Sequence, residues 1–181
     1  IERLNLNELI KETTHLLELS ISKQARLEFD LAETLPRIEG DPSQLRQIIM
    51  NLVINASEAM GEQPDGLIRV ATSVVTLPNP GPGHSAPDTE LAPGPYVCME
   101  IADTGCGMSP EVLARIFDPF FSTKFTGRGL GLAAVVGIVR SHKGSMKVDS
   151  TPNVGSAFRI YLPVSQSQSA HPFGAAPAKV I

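Results

Sequence analysis

Tryptophan is missing from this chain, aromatic residues make up only 5% of it, and its charge leans slightly acidic, with 15 Lys and Arg against 19 Asp and Glu. A net charge of −4 offers no basic surface to the phosphate backbone of a duplex, and so few rings leave little on which single-stranded bases could stack. Nucleic acid is therefore not expected as a partner. Cysteine is scarce too: Cys98 and Cys106 lack metal-ligand spacing and, without a signal peptide, read as two reduced thiols, which points to a cytoplasmic compartment. No apolar run approaches the roughly 18 residues that span a bilayer. The first residue is not Met, so the chain reads as a piece of something longer, and an anchor elsewhere is compatible with it.

What is present suffices for one core: 181 residues, 42% of them hydrophobic, predict a single domain with a short tail. Apolar residues at Leu6, Leu9, Ile10, Leu16, Leu17 and Leu19 keep a helical stripe to about Ser22 and predict an opening amphipathic helix that packs on a sheet. Arg26 to Leu31 alternates as a half-buried strand, and Arg37 to Gly40 continues extended after Pro36. Asp41-Pro42 pairs an N-cap with Pro at the first helical position and starts a long helix to about Met60. On it Leu45, Ile48, Ile49, Leu52, Val53, Ala56 and Ala59 form a buried face, while Asn51 and Asn55 lie one above the other on a neighbouring edge.

Two β-rich runs, Leu67 to Leu77 and Pro95 to Asp103, read as antiparallel neighbours. The Pro- and Gly-rich residues between them, Pro78 to Gly94, predict a weakly ordered excursion. Ser109-Pro110-Glu111 starts a short helix to about Phe117, and Leu130 to His142 is a further helix ended by Gly144. Ser145 to Asp149 and Ser156 to Leu162 are strands about a turn at Pro152-Asn153. The domain closes near Val164, and residues 165–181, rich in Ser, Gln, Ala and Pro, read as a linker or disordered tail.

The organising stretch runs from Asp103 to Leu132. Asp103-Thr-Gly-Cys-Gly107 sets one acid against glycines, and Gly127-Arg-Gly-Leu-Gly-Leu132 sets a basic glycine-rich loop against a new helix whose first N–H groups favour an anion. Together they read as a nucleotide site. Taken singly, each piece has a plainer reading: Asp103 as a turn acid, Lys124 and Arg128 as solvated charges, Phe117, Phe120 and Phe121 as packing.

The ordered set of boxes resembles the ATP-binding catalytic domain of bacterial two-component sensor histidine kinases, a branch of the superfamily shared with gyrase, Hsp90 and MutL. Asn51-Leu-Val-Ile-Asn55-Ala is similar to the N box, Asp103 to Gly107 to the first glycine box, Phe117 to Phe121 to the F box, Gly127 to Leu132 to the second glycine box, and Gly155-Ser-Ala-Phe158 to the last. The Pro-Phe-Phe-Ser-Thr-Lys124 run just before the second glycine box is similar to the short-lid branch of nitrogen-regulatory and hybrid kinases. The resemblance implies an α+β fold: a two-layer α/β sandwich, its mixed and mostly antiparallel sheet covered on one face by about three helices.

It also implies roles. Asp103 would accept a hydrogen bond from the adenine amino group, which guanine lacks. Gly105, Gly107 and Met108 would pass close to the base, with Ser156 near it. Asn55 would coordinate Mg²⁺ through its amide oxygen with Asn51 supporting that edge. Lys124 and Arg128 would meet the phosphates from a lid whose glycines, Gly127, Gly129 and Gly131, let its backbone fold over them, with Leu130 and Leu132 at the same site.

Two departures stand out: Glu58 occupies a position often basic in sensor kinases, and His15, followed by Leu16-Leu17, lacks the acid that follows a phosphoacceptor histidine. The implied function is an ATP-dependent protein-histidine kinase domain. It would donate phosphoryl to a histidine on its own dimerisation domain, absent here, within a homodimer, and then to a response-regulator receiver. The alternatives are a hydrolase of the gyrase type, which would need Glu where Asn51 stands, and a degenerate nucleotide-binding docking module.

Overall fold

The computed structural model describes residues 1–17, 21, 25–61, 65–76, 84–85 (backbone only), 91–121 and 130–165. In chain order the elements are β1 (Glu2–Leu4), α1 (Leu6–Leu17), β2 (Ala25–Leu31), β3 (Ile38–Gly40), α2 (Pro42–Met60), β4 (Gly66–Thr76), β5 (His84–Ser85), β6 (Pro95–Asp103), α3 (Pro110–Leu113), α4 (Gly131–Ser141), β7 (Ser145–Thr151) and β8 (Gly155–Pro163). Six strands form one sheet in the order β2-β4-β6-β8-β7-β5. Only β2 and β4 pair in parallel, and the other pairs are antiparallel.

Strand alternation divides the sheet into two faces. Ile68 and Val70 of β4, Val97, Met99 and Ile101 of β6, Met146 and Val148 of β7, and Phe158, Ile160 and Leu162 of β8 join the apolar sides of α1, α2 and α4 in one core. This is the expected two-layer sandwich with its helices on one face. The other face holds a small cluster of Tyr96, Cys98 and Tyr161, beside Arg159 ion-paired to Glu100 and Asp149.

α2 is the central helix. Asp41 caps it by accepting from the Ser43 and Gln44 N–H groups at 2.8 and 3.2 Å, a cap worth about 1 kcal/mol. His142, buried at the end of α4, holds the same corner: its Nε2 accepts the Asp41 N–H at 3.0 Å, so the ring proton lies on Nδ1, 2.8 Å from the Ile138 carbonyl. The two helices that flank the candidate site are thereby locked together. A second clamp joins α1 to the sheet, with Thr72 donating to Asn7 at 2.8 Å and Asn7 donating to the Ala32 carbonyl at 2.9 Å. β1 pairs with β3 in a separate ribbon, and the Ser165 N–H reaches the Arg37 carbonyl at 3.0 Å, tying the end of β8 to that ribbon.

Several expectations change in detail. α1 is described to Leu17, and its expected extension to Ser22 falls mostly outside the described residues. Ala59 is half-buried, whereas Ser57 and Met60 are buried. α3 ends at Leu113, well short of Phe117: from Arg115 onward the chain makes tight i to i+3 turns, because Pro119 disfavours helix in the residue before it and Phe120 takes φ 66. The left-handed residue after α4 is Lys143, φ 55, rather than Gly144. The excursion after β4 is more than a hairpin, since His84 and Ser85 pair with Val148 and Lys147 at the far edge of the sheet. Its remaining residues, 77–83 and 86–90, and the predicted tail from 166 onward lie outside the described residues.

Candidate nucleotide site

The site is built where β6 ends. Alternation that buries Val97, Met99 and Ile101 against the helices brings Asp103 onto the same face, only 8% exposed, directly opposite Ser156 of β8. Asp103 Oδ1 accepts the Gly105 N–H at 2.8 Å, which fixes the carboxylate against its own loop.

That loop is tied on three sides. Thr104 donates its N–H to the Leu67 carbonyl at 3.1 Å and accepts the Leu67 N–H on Oγ1 at 3.0 Å, binding it to β4. The Cys106 N–H reaches the Ala59 carbonyl at 2.9 Å near the end of α2, and the Cys106 carbonyl accepts the Asn153 N–H at 2.7 Å from the β7–β8 turn. The Met108 N–H ends on Ser150 Oγ at 2.8 Å. Gly107 is required here twice over, because its φ is +63 and a Cβ would stand 2.0 Å from the Thr151 carbonyl oxygen.

Asn51 and Asn55 are half-buried on α2, with Asn51 against the start of α4: its Nδ2 lies 3.5 Å from the Gly131 carbonyl. α4 begins at Gly131 and, among the described residues, no side chain caps its first turn, so its leading N–H groups carry the positive end of the helix dipole. Leu130 is exposed and Leu132 half-buried beside it. The eight residue steps from Asn51 to Ala59 span about 12 Å of helix. The structure thus brings Asp103, Gly105, Gly107, Met108 and Ser156 together at one end of α2, and Asn51, Leu130, Gly131 and Leu132 near its middle. Lys124, Gly127, Arg128 and Gly129 lie outside the described residues. Of the phenylalanines, Phe117 packs on the core and Phe121 lies under the Arg115 guanidinium at 4.4 Å, while Phe120 is largely exposed.

Sequence reading missed Ser150. The signal was available: it is the polar member of the inward series Met146, Val148, Ser150 on β7.

The two thiols sit in opposite environments. Burial, with the Glu100 charge second, pushes the Cys98 thiol up to about 11, and burial likewise pushes Tyr161 up to about 12. Cys106 is exposed on the glycine loop. Iodoacetamide near about pH 8 is expected to alkylate Cys106 alone in the folded protein, Cys98 reacting only on unfolding, as read by mass spectrometry of the two peptides. The protonated Cys98 supports the fold fully below its ordinary value of 9.0, and that support is lost as pH climbs toward about 11.

Comparison with known proteins supplies the deciding observation. Residues 40–166 match the family described as Histidine kinase-, DNA gyrase B-, and HSP90-like ATPase. The chain belongs to that ATPase family. Among solved structures it is similar to the catalytic domain of histidine kinase ThkA, with a TM-score of 0.70 and 30% identity over 92% of this chain and 97% of that one. The full-length kinase ShkA, solved in complex with AMPPNP, superposes with a TM-score of 0.70 at 25% identity, over 91% of this chain and 31% of that one. ThkA has also been solved in complex with the response regulator protein TrrA, with a TM-score of 0.67 at 27% identity, over 92% of this chain and 42% of that one. Among curated relatives, the sensor histidine kinase ZraS of Salmonella typhimurium is 36% identical over 169 residues, 93% of this chain and 32% of the relative. The chain therefore spans about a third of that relative's length and corresponds to the histidine kinase catalytic domain. Among the described residues, no helix is long and apolar enough to cross a membrane.

Proposed function

We propose that this domain binds Mg-ATP along α2 and donates its γ-phosphoryl group to a histidine carried by a dimerisation domain of the same protein. The observation that carries this reading is that the loop following a fixed acid, Asp103, is bonded to Ala59 at the end of α2, about one to two turns along that helix from an amide edge, Asn55 and Asn51, which meets the start of α4. One end suits a base with an amino group, the other a chain of phosphates. The AMPPNP complex of ShkA supports the nucleotide, and the ThkA complex with TrrA supports onward transfer to a receiver aspartate.

The residues present fit a magnesium ion. Asn55 is a hard amide-oxygen donor on a half-buried edge that Asn51 supports, and Mg²⁺ takes few protein ligands and leaves the rest to phosphates and water. Bound there, the ion would supply charge neutralisation to the phosphates. Lys124 and Arg128 are assigned to the same phosphates through the family resemblance.

In the proposed transfer the bond from the γ-phosphorus to the β–γ bridging oxygen breaks, a bond to an imidazole nitrogen forms, ADP leaves, and the ring loses its proton. Positioning and charge stabilisation suffice, so the domain needs no nucleophile of its own. Asn51 cannot take a proton from water as a carboxylate does, and general-base help worth about 10² to 10⁴ in rate is missing at that position, which disfavours the hydrolase reading.

Incubation with γ-labelled ATP is the test. The chain alone is expected to bind nucleotide without forming phosphohistidine, and the separately purified dimerisation domain of the same protein should become labelled when added. Labelling of His15, which is exposed on α1, or turnover at the rate of a dedicated ATPase would overturn the reading.

A further inference from the structure

We propose that Ser150 is a positioning residue for the adenine end of the site, setting how well the pocket distinguishes an amino group from a carbonyl at the purine 6-position. The inference rests on the nucleotide reading above. It starts from an anomaly in β7, where the inward series runs Met146, Val148, Ser150: the first two are wholly buried in the core, and the third places a hydroxyl behind the glycine loop.

The surroundings of that hydroxyl use all of its capacity. Ser150 Oγ accepts the Met108 N–H at 2.8 Å, lies 3.2 Å from the Gly155 carbonyl, and lies 2.9 Å from Ser156 Oγ. A hydroxyl has one proton and two lone pairs. Donation to Gly155 with acceptance from Met108 and Ser156 leaves nothing unmet. One small side chain thus joins the exit of the glycine loop, the β7–β8 turn, and the residue directly opposite Asp103.

The rest of the loop shows why this link matters for selectivity. Its near end is held by Gly105 on Asp103 and Thr104 on Leu67, and its middle by Cys106 on Ala59 and Asn153, so both have partners on several elements. Its far end, at Met108, is held by Ser150. Without the hydroxyl, the Met108 N–H and Ser156 lose a shared partner, and the wall facing Asp103 loses its register. None of the partners of this hydroxyl, Met108, Gly155 and Ser156, lies on α2 or α4, so phosphate contacts should stay as they are.

Ser150→Ala removes the hydroxyl, and Ser150→Cys keeps a similar volume but offers only a weak acceptor, so either variant tests the idea if the other fails to fold. The probes are ATP and inosine triphosphate, which carries a carbonyl oxygen where adenine has its amino group, each titrated calorimetrically in the presence of Mg²⁺. ATP affinity is expected to fall about five- to tenfold, on the scale of one lost hydrogen bond, with inosine triphosphate nearly unchanged, so the preference for ATP narrows. The inference is overturned if a folded variant keeps the wild-type ratio, or if both nucleotides weaken alike, as a general loss of structure would make them do. A wild-type chain that binds neither nucleotide would instead remove the functional reading, and this inference with it.

Discussion

Asp103→Ala is expected to weaken ATP binding by about 1.5 to 3 kcal/mol, the scale of a hydrogen bond to a charged group and roughly 10- to 150-fold in Kd. The carboxylate is held by the Gly105 N–H and buried at the end of β6, so it is oriented before any ligand arrives. Little ordering cost is left to binding, and most of the lost contact should appear in the measured affinity. Asp103→Asn should fall between wild type and alanine, because an amide oxygen still accepts but without charge. Calorimetric titration of the folded variants decides it, and unchanged affinity in Asp103→Ala would remove this residue from the site.

The largest effect on stability is expected from Gly155→Ala. Gly155 has φ +137, and a Cβ there would stand 1.9 Å from the Asp103 carbonyl oxygen and 3.0 Å from the Thr104 Cα, both backbone atoms that cannot swing aside. Backbone strain of about 1 to 3 kcal/mol and overpacking of a similar size should together cost about 2 to 6 kcal/mol. Thermal unfolding should show the midpoint lowered by roughly 5 to 20 °C for a domain of this size. Gly137→Ala is the matched control: Gly137 lies within α4 with open space where a Cβ would go, so alanine should stabilise the helix by about 0.5 to 1 kcal/mol. A Gly155→Ala protein as stable as wild type would show that the turn can move away from Asp103, and the close packing of loop and turn would lose its meaning.

The sequence by itself determined the elements whose signals are local. The Asp41-Pro42 start of α2 and its run to Met60, the span of β6 from Pro95 to Asp103, the turn at Asn153 and the Ser109 cap all follow from side chains acting on their own backbone or on neighbours within a turn. The residue types of the candidate site were legible for the same reason, since an acid before glycines and two amides four apart are local patterns. Tertiary structure decided what depends on partners distant in sequence. A period of two says which face a strand buries and not which strand lies beside it, so the parallel pairing of β2 with β4 and the attachment of His84–Ser85 to β7 were not legible. Likewise, the junctions of Cys106 with Ala59, His142 with Asp41, and Ser150 with Met108 join residues 42 to 101 positions apart. Each is made by a backbone group or a side chain whose partner is chosen only when the helices settle on the sheet. That settling brings the loop after Asp103 against the end of the helix that carries Asn51 and Asn55, a placing that no local pattern encodes.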